Sequence, residues 1–286
     1  MATKEFLAVP SVGGPARVPP SGALARNREL LTELVRRDVK ARYRGSALGV
    51  LWSLLNPLLF MAVYTVVFSV LLAAVYPGGV PAAAYILTGL LVWNFFSQAV
   101  SFATSSVLSN SGLVRKVAFP WVLLTVSSVT AALVNYVISL VLLIPIYIIF
   151  HLPVGLPMLL LPVLVVIPYV LALGVGLLLA AGNVFFRDLE HLVQVGLLVW
   201  LYLTPIVYPP NLVAQHDHGL GGHVFSLFFK FNPMTWVIGA MENVVTRGLW
   251  PIHWHGLVYA AFVAAVLLAL GIVVFQRARR RFAEEV

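Results

Sequence analysis

Cysteine is absent from all 286 residues, which excludes disulfides, thiolate metal sites and thiol nucleophiles. Charge is scarce as well. Asp, Glu, Lys and Arg make up 10% of the chain, whereas a soluble domain carries roughly 25%. With 61% hydrophobic residues and a mean hydropathy of +0.97, the chain lacks the polar surface to stay in water, so its solvent is lipid. No Gly-x-x-x-x-Gly-Lys-Ser/Thr stretch occurs, which excludes ATP hydrolysis through a P-loop. Residues 1–44 hold no apolar stretch of signal-peptide length, and the first span is expected to act as its own insertion signal.

What is present is a pattern of long uncharged stretches. Asp, Glu, Lys and Arg are missing from Gly45–Val114, Val117–Phe186, His191–His216 and Gly248–Gln276. A helix crosses the hydrocarbon layer in about 20 residues, so the first two stretches suit two spans each and the last two suit one each. Proline and glycine clusters at Tyr76–Pro81 and His151–Pro157 divide the longer stretches at turns. Six spans are expected, at about 50–75, 82–107, 119–150, 157–182, 189–208 and 256–276. Of the 18 Lys and Arg residues, 16 fall on the side shared by both termini, and only Lys230 and Arg247 on the other. That asymmetry places both termini in the cytoplasm. It also explains the net charge of +8 without nucleic-acid binding, because the basic residues flank apolar runs instead of forming one basic face.

Outside the spans, residues 1–23 are rich in proline and glycine and read as a flexible lead-in. From 24 to 44, Leu24, Leu31, Val35 and Val39 recur at helical spacing among Arg28, Arg36, Arg37, Lys40 and Arg44, the pattern of a basic amphipathic helix. Periodicity alone favours a simple anchor on the lipid surface. The short turn Ser109–Lys116 is either a topogenic basic turn or a docking surface. The segment Pro209–His255, on the side with few cations, keeps Phe228, Phe229, Trp236 and Trp250, which a wholly solvated loop would not need. Short helices dipping back into the membrane account for them. Five of the seven histidines also lie in this segment, and without a converging carboxylate set they read as incidental, not as metal ligands.

The spans carry no Asp, Glu, Lys or Arg of the kind that ion-coupled transporters and proton relays place near the midplane. Glu242 and Asp217 are the only carboxylates on the cation-poor side, too few for a typical metal-dependent membrane transferase. The chain therefore reads as a conduit that needs a separate motor. Rings within the spans, among them Trp52, Phe60, Tyr64 and Phe68, either pack or line a path along which sugars slide.

Several segments match a known family. Arg37–Leu58, with Arg42-Tyr43-Arg44-Gly45 and Leu54-Leu55-Asn56-Pro57, resembles the start of the first span in ABC-2 type permeases, and within them the exporters of O-antigen and teichoic acid polysaccharides. Arg115-Lys116-Val117-Ala118-Phe119-Pro120, Phe186-Arg187-Asp188-Leu189, Tyr202-Leu203-Thr204-Pro205-Ile206-Val207-Tyr208 and Phe231-Asn232-Pro233-Met234 resemble further segments of that family in the same order. The resemblance covers about residue 28 to the C-terminus.

It implies an all-α membrane protein of six helices, with an N-terminal interface helix and re-entrant extracellular helices before the last span. It further implies a multi-pass permease of a bacterial plasma membrane that pairs with a second copy of itself and with two nucleotide-binding ATPase subunits. ATP and Mg would be bound by those subunits, and the chain itself would need no cofactor. The cargo would be a lipid-linked polysaccharide moving outward. Within this frame Arg42 and Arg44 are substrate-entrance candidates, because guanidinium matches phosphate oxygens in bidentate geometry. Trp52, Tyr64 and Phe68 are channel-lining candidates. Ser109, Asn110, Leu113, Arg115 and Lys116 are candidates for ATPase coupling, and Phe228, Phe229 and Trp236 for an extracellular gate. The alternatives are an ABC-2 exporter of drugs or small lipids, and a membrane-embedded enzyme or scaffold of glycan assembly.

Overall fold

The computed structural model describes residues 20–44, 48–112, 120–210, 219–251 and 253–285, and every regular element among them is helical. Helix α1 covers Pro20–Tyr43. It takes up Pro20–Ala23 of the expected lead-in, as proline tolerates the first helical turn, where its missing donor has no partner anyway. Residues 1–19 lie outside the described residues.

Five segments are long and apolar enough to cross a membrane: Gly49–Leu71, Ala82–Ser105, Val122–Phe150, Leu156–Phe185 and Trp254–Arg279. The first contains α2 (Trp52–Tyr64) and a π-helical continuation over Thr65–Leu71. The second is α3 (Ala82–Ser105). The third joins α4 (Val122–Ser139) to α5 (Leu143–Phe150) through a single tight turn. The fourth holds α6 (Leu161–Phe185). A shorter apolar helix, α7, covers Leu189–Leu203. Then follow α8 (Gly219–Phe231), α9 (Pro233–Arg247) and α10 (Trp254–Glu285).

Two helix ends differ from the sequence expectation, each for a local reason. The expected span at 189–208 stops being helical at Leu203. Thr204 precedes Pro205 and adopts φ −100° and ψ 133°, the extended geometry that a following proline favours. Helix α10, by contrast, runs past the expected end at 276 into its basic tail. Phe282 is fully buried there and stacks on Trp121 at 5.8 Å.

Helix α3 forms the centre of the bundle, with Ile86, Leu87 and Phe96 fully buried. It packs against α4, α6 and α9. Helices α6 and α10 make the closest pair. A Cβ added at Gly271 would sit 2.6 Å from the Gly174 carbonyl oxygen, so the two backbones approach as only small residues allow. Helices α2 and α7 do the reverse and turn Val63, Val70, Leu192 and Leu198 outward.

Pro57 sits inside α2 and lacks the amide that would satisfy the Ser53 carbonyl one turn earlier. The Ser139 hydroxyl of α4 donates to that carbonyl at 3.2 Å. A neighbouring helix thus supplies the hydrogen bond that the proline removes.

Candidate functional site

Chemistry gathers at the two ends of α3. At the α1 end, Leu31, Leu34, Val35, Asp38, Val39 and Arg42 form the inward stripe of α1 at helical spacing, and α1 packs on α4 instead of standing alone as an anchor. Polar contacts fix the register. Asp38 accepts from Arg37 at 3.0 Å and from the Ser127 hydroxyl of α4 at 3.0 Å. The Tyr43 hydroxyl donates to Asn135, whose amide donates to Gln98 of α3 at 3.1 Å.

Arg42 reaches across this seam. Its guanidinium donates to the Ser128 carbonyl at 3.3 Å and lies 3.9 Å from the centre of the Phe102 ring, while its Nη1 is buried with no hydrogen-bond partner. Burial pushes the Arg42 guanidinium down from its ordinary value, with the Asp38 charge opposing that shift. Arg42 lines a cleft of about 540 Å³ between α1, α2, α3 and α4, whose polar lining includes Asn56, Asn94, Gln98 and Asn135. Trp52 lines the same cleft and is half exposed. Arg44 lies just beyond α1 and is exposed.

Ser109 and Asn110 follow the end of α3 and close its last turn: the Ser109 hydroxyl donates to the Ser105 carbonyl and the Asn110 amide to Ser106, both at 2.8 Å. Leu113, Arg115 and Lys116 lie outside the described residues.

From the cleft outward, α2 and its π-helical continuation carry a row of rings. Phe60, Tyr64 and Phe68 recur four residues apart, so they stand one above another on the helix. Their centroids are 6.0 and 6.3 Å apart, and Tyr208 continues the row 6.4 Å from Phe68. The Tyr64 hydroxyl meets that of Tyr202 at 3.3 Å, tying α2 to α7.

At the far end two sequence motifs meet. The Asn232 carbonyl oxygen caps α9 by accepting from the Met234 amide at 3.0 Å, and it also accepts from the Trp200 indole at 3.1 Å. Its side-chain amide donates to the Thr204 hydroxyl at 2.8 Å. Asn232-Pro233 and Thr204-Pro205 are thereby locked together, and α9 is wedged among α3, α6 and α10.

Beside this lock lies a cavity of about 300 Å³, lined by Phe229 and Trp236 together with Tyr85, Glu242 and Arg247. Phe228 does not join them; it faces a separate groove with Trp200 and Leu203. Trp236 is fixed by donating from its indole to the Lys230 carbonyl at 3.0 Å. His253 and His255 lie edge-on to it at 5.7 and 5.8 Å. His216 and His218 are outside the described residues, and among the described ones no group of three or more His, Cys, Asp or Glu side chains gathers around a common point.

Comparison with known proteins places this architecture. The family model for ABC-2 type transporters matches residues 29–246. The chain belongs to the ABC-2 type transporter family. An O-antigen export system permease protein RfbA of Myxococcus xanthus is 34% identical over 267 residues, covering 92% of this chain and 97% of that protein. One of the same name from Klebsiella pneumoniae is 26% identical over 261 residues, covering 90% and 94%. As an ABC-2 permease, the chain is a multi-pass membrane protein that works with an ATPase partner.

For an ABC-2 permease, the residues that sequence reasoning missed are mostly amides. Asn94 and Gln98 stand four apart on α3, but Asn56 and Asn135 come from two other helices, and no local spacing groups all four. Glu242 was counted as an ordinary outside carboxylate, yet it is 4% exposed. A signal for the ring row did exist in the four-residue spacing of Phe60, Tyr64 and Phe68.

Proposed function

We propose that this ABC-2 permease exports a lipid-linked polysaccharide, moving it from the cytoplasmic side outward through a path that two copies of the chain form together. The observation that carries the reading is the cleft at Arg42. A half-buried guanidinium with one unpartnered nitrogen, a stacked ring and four amides stand together at the α1 end. Guanidinium suits the diphosphate that links a lipid to its glycan, and amides offer both donors and acceptors to sugar hydroxyls. Trp52 at the rim, with Tyr64 and Phe68 beyond it, would offer ring faces along which successive sugars pass. The names of the relatives, permeases of O-antigen export, support the same cargo class.

In this reading the chain crosses the membrane six times with both termini in the cytoplasm, α7 being completed as a span by the extended residues after Leu203. Arg42 and Arg44 form the entrance. Ser109, Asn110, Leu113, Arg115 and Lys116 receive the motion of two ATPase subunits, which bind the ATP and Mg, and Phe228, Phe229 and Trp236 belong to the outer gate. The cysteine-free chain makes the topology directly testable. Single cysteines at His151 and Lys230 should react with a membrane-impermeant maleimide from outside, and one at Arg277 should not.

Depletion of the chain tests the cargo. Lipid-linked polymer should accumulate on the cytoplasmic leaflet, and its sugars identify the glycan. Normal polymer at the surface after depletion, or a purified chain on which the ATP turnover of no ATPase subunit depends, would overturn the reading in favour of a drug exporter or an assembly enzyme.

A further inference from the structure

A second, smaller core lies at the α1 end, separate from the main one. It gathers Leu34 of α1, Val107 just after α3, Leu124 of α4, Val184 of α6, and Phe275 and Phe282 of α10. Phe282 is fully buried at its centre. The ring stacks on Trp121 at 5.8 Å with 12° between the planes, and it meets Phe275 at 5.4 Å and Phe185 at 6.0 Å. Arg279 brings its guanidinium to 5.3 Å from the centre of the Trp121 ring. Phe275, Ala278 and Phe282 recur at helical spacing and turn inward, whereas Arg277, Arg279 and Arg281 are exposed. A tail that only held cations at the membrane surface would have no use for a fully buried ring beyond the apolar segment ending at Arg279.

Both roots of the connection from α3 to α4 stand in this core, Val107 and Leu108 before it and Trp121 after it. Polar ties hold the same level together. The Ser106 and Thr125 hydroxyls meet at 3.0 Å, and the Asn183 amide of α6 donates to the Thr104 carbonyl at 3.1 Å. Phe282 adds α10 to the block. From there α10 runs as one helix of 32 residues without proline, whereas α2, α5 and α6 contain Pro57, Pro145 and Pro168. A helix free of proline keeps its line, because sharp kinks nearly always have such a local cause. At the other end of α10, Gly256 has no room for a Cβ because the Trp236 indole packs against it. One unbroken helix therefore touches Trp121 at one end and Trp236 at the other.

We propose that Trp121 and Phe282 are positioning residues for ATPase coupling: their stacked rings fasten the α3–α4 connection to α10, which carries motion received there to Trp236. Coupling between distant sites travels through packed side chains and rigid elements, and this path consists of one ring pair and one helix. Without the ring pair, the Ser106–Thr125 contact would still join α3 to α4. The connection would keep its own support and lose only its hold on α10. The inference rests on the reading that the α3–α4 connection receives the motion of the ATPase subunits, and its test separates the two.

The full chain, copurified with its ATPase subunit, is reconstituted in sealed vesicles with lipid-linked glycan extracted from cells depleted of the chain. The quantity read is glycan moved per ATP hydrolysed. Trp121→Leu and Phe282→Leu should each lower it about fivefold, with the ATPase subunit still bound and ATP turnover near that of wild type. Trp121→Phe keeps a ring to stack and should restore most of it. Leu177→Ala, in the same core but on α6, is the control for lost stability. It should lower the thermal midpoint and leave the ratio unchanged. If Phe282→Leu does not accumulate, Trp121→Leu carries the test, since that ring is only half-buried.

An unchanged ratio in the leucine variants would overturn the proposal. So would an equal fall in Leu177→Ala at the same thermal midpoint. Arg115→Ala combined with Lys116→Ala tests the connection itself. A ratio lowered by that pair but not by Trp121→Leu would overturn the fastening and leave the coupling reading intact. A ratio unchanged in all of these variants would overturn both.

Discussion

The two ends of α3 present a matched contrast. At the α1 end a half-buried cation, Arg42, leaves one nitrogen without a partner, and its side chain lines a wide cleft of about 540 Å³. At the far end a buried carboxyl, Glu242, leaves one oxygen without a partner, and the residue lines a cavity of about 300 Å³. Tyr85 and Gln98, which border the two cavities, are thirteen residues apart on α3 and so separated by about 20 Å along the helix. The first site presents a guanidinium and amides of the kind that suit a phosphorylated head. The ring row of Phe60, Tyr64, Phe68 and Tyr208 holds no formal charge.

The contrast can be broken most forcefully at the far end. The Asn232 side chain makes three hydrogen bonds, two that tie α9 to α7 and its end and one that caps α9, each worth about 1 kcal/mol net. Asn232→Ala should cost about 3 kcal/mol of local stability. Hydrogen exchange should show α9 losing protection while α1 keeps it. Equal loss at both ends would mean that the two sites are not independently supported.

A smaller effect is expected at the entrance. Arg42→Ala removes a charged donor and the contact with Phe102, and should slow export by about 2 kcal/mol, or roughly thirtyfold. Arg42→Lys should restore only part of the rate, because an ammonium neither stacks flat on the ring nor binds phosphate in a fork. Full restoration by lysine would reduce the site to a bare positive charge. Transport into sealed vesicles, read against ATP turnover, distinguishes these outcomes.

Combining Arg42→Ala with Glu242→Gln sharpens the comparison. Sites this far apart with no shared partner should add to within about 0.5 kcal/mol. A larger deviation in export rate would show that entrance and exit are coupled through α3. The smallest effect belongs to the row of rings. Tyr64→Phe loses only the 3.3 Å contact with Tyr202 and should change export by less than about 0.5 kcal/mol, whereas Tyr64→Ala opens a gap in the row.

Much of the scaffold was legible beforehand for a plain reason. A hydrocarbon solvent forces every span into an uncharged helix of nearly fixed length, so charge spacing, with the proline and glycine clusters that divide the longer stretches, locates α2 to α6 and α10. The ends were less legible because they depend on partners. Helix α7 stops at Leu203 under the influence of Pro205, but α10 continues past 276 since Phe282 finds Trp121 to pack on. Helix α1 is instructive too. Its apolar residues Leu31, Val35 and Val39 were readable as a stripe, yet Asp38 and Arg42 share that stripe and turn a lipid-surface pattern into a protein seam.

The sequence by itself determined the solvent, the succession of apolar helices, the absence of a P-loop and the family, because each of these is written in local composition or contiguous motifs. Only the tertiary structure decided where Arg42 and Glu242 find themselves. Their burial, and the atom each leaves unpartnered, arises from helices far apart in the chain that close over them. No local pattern encodes which neighbours will exclude the water.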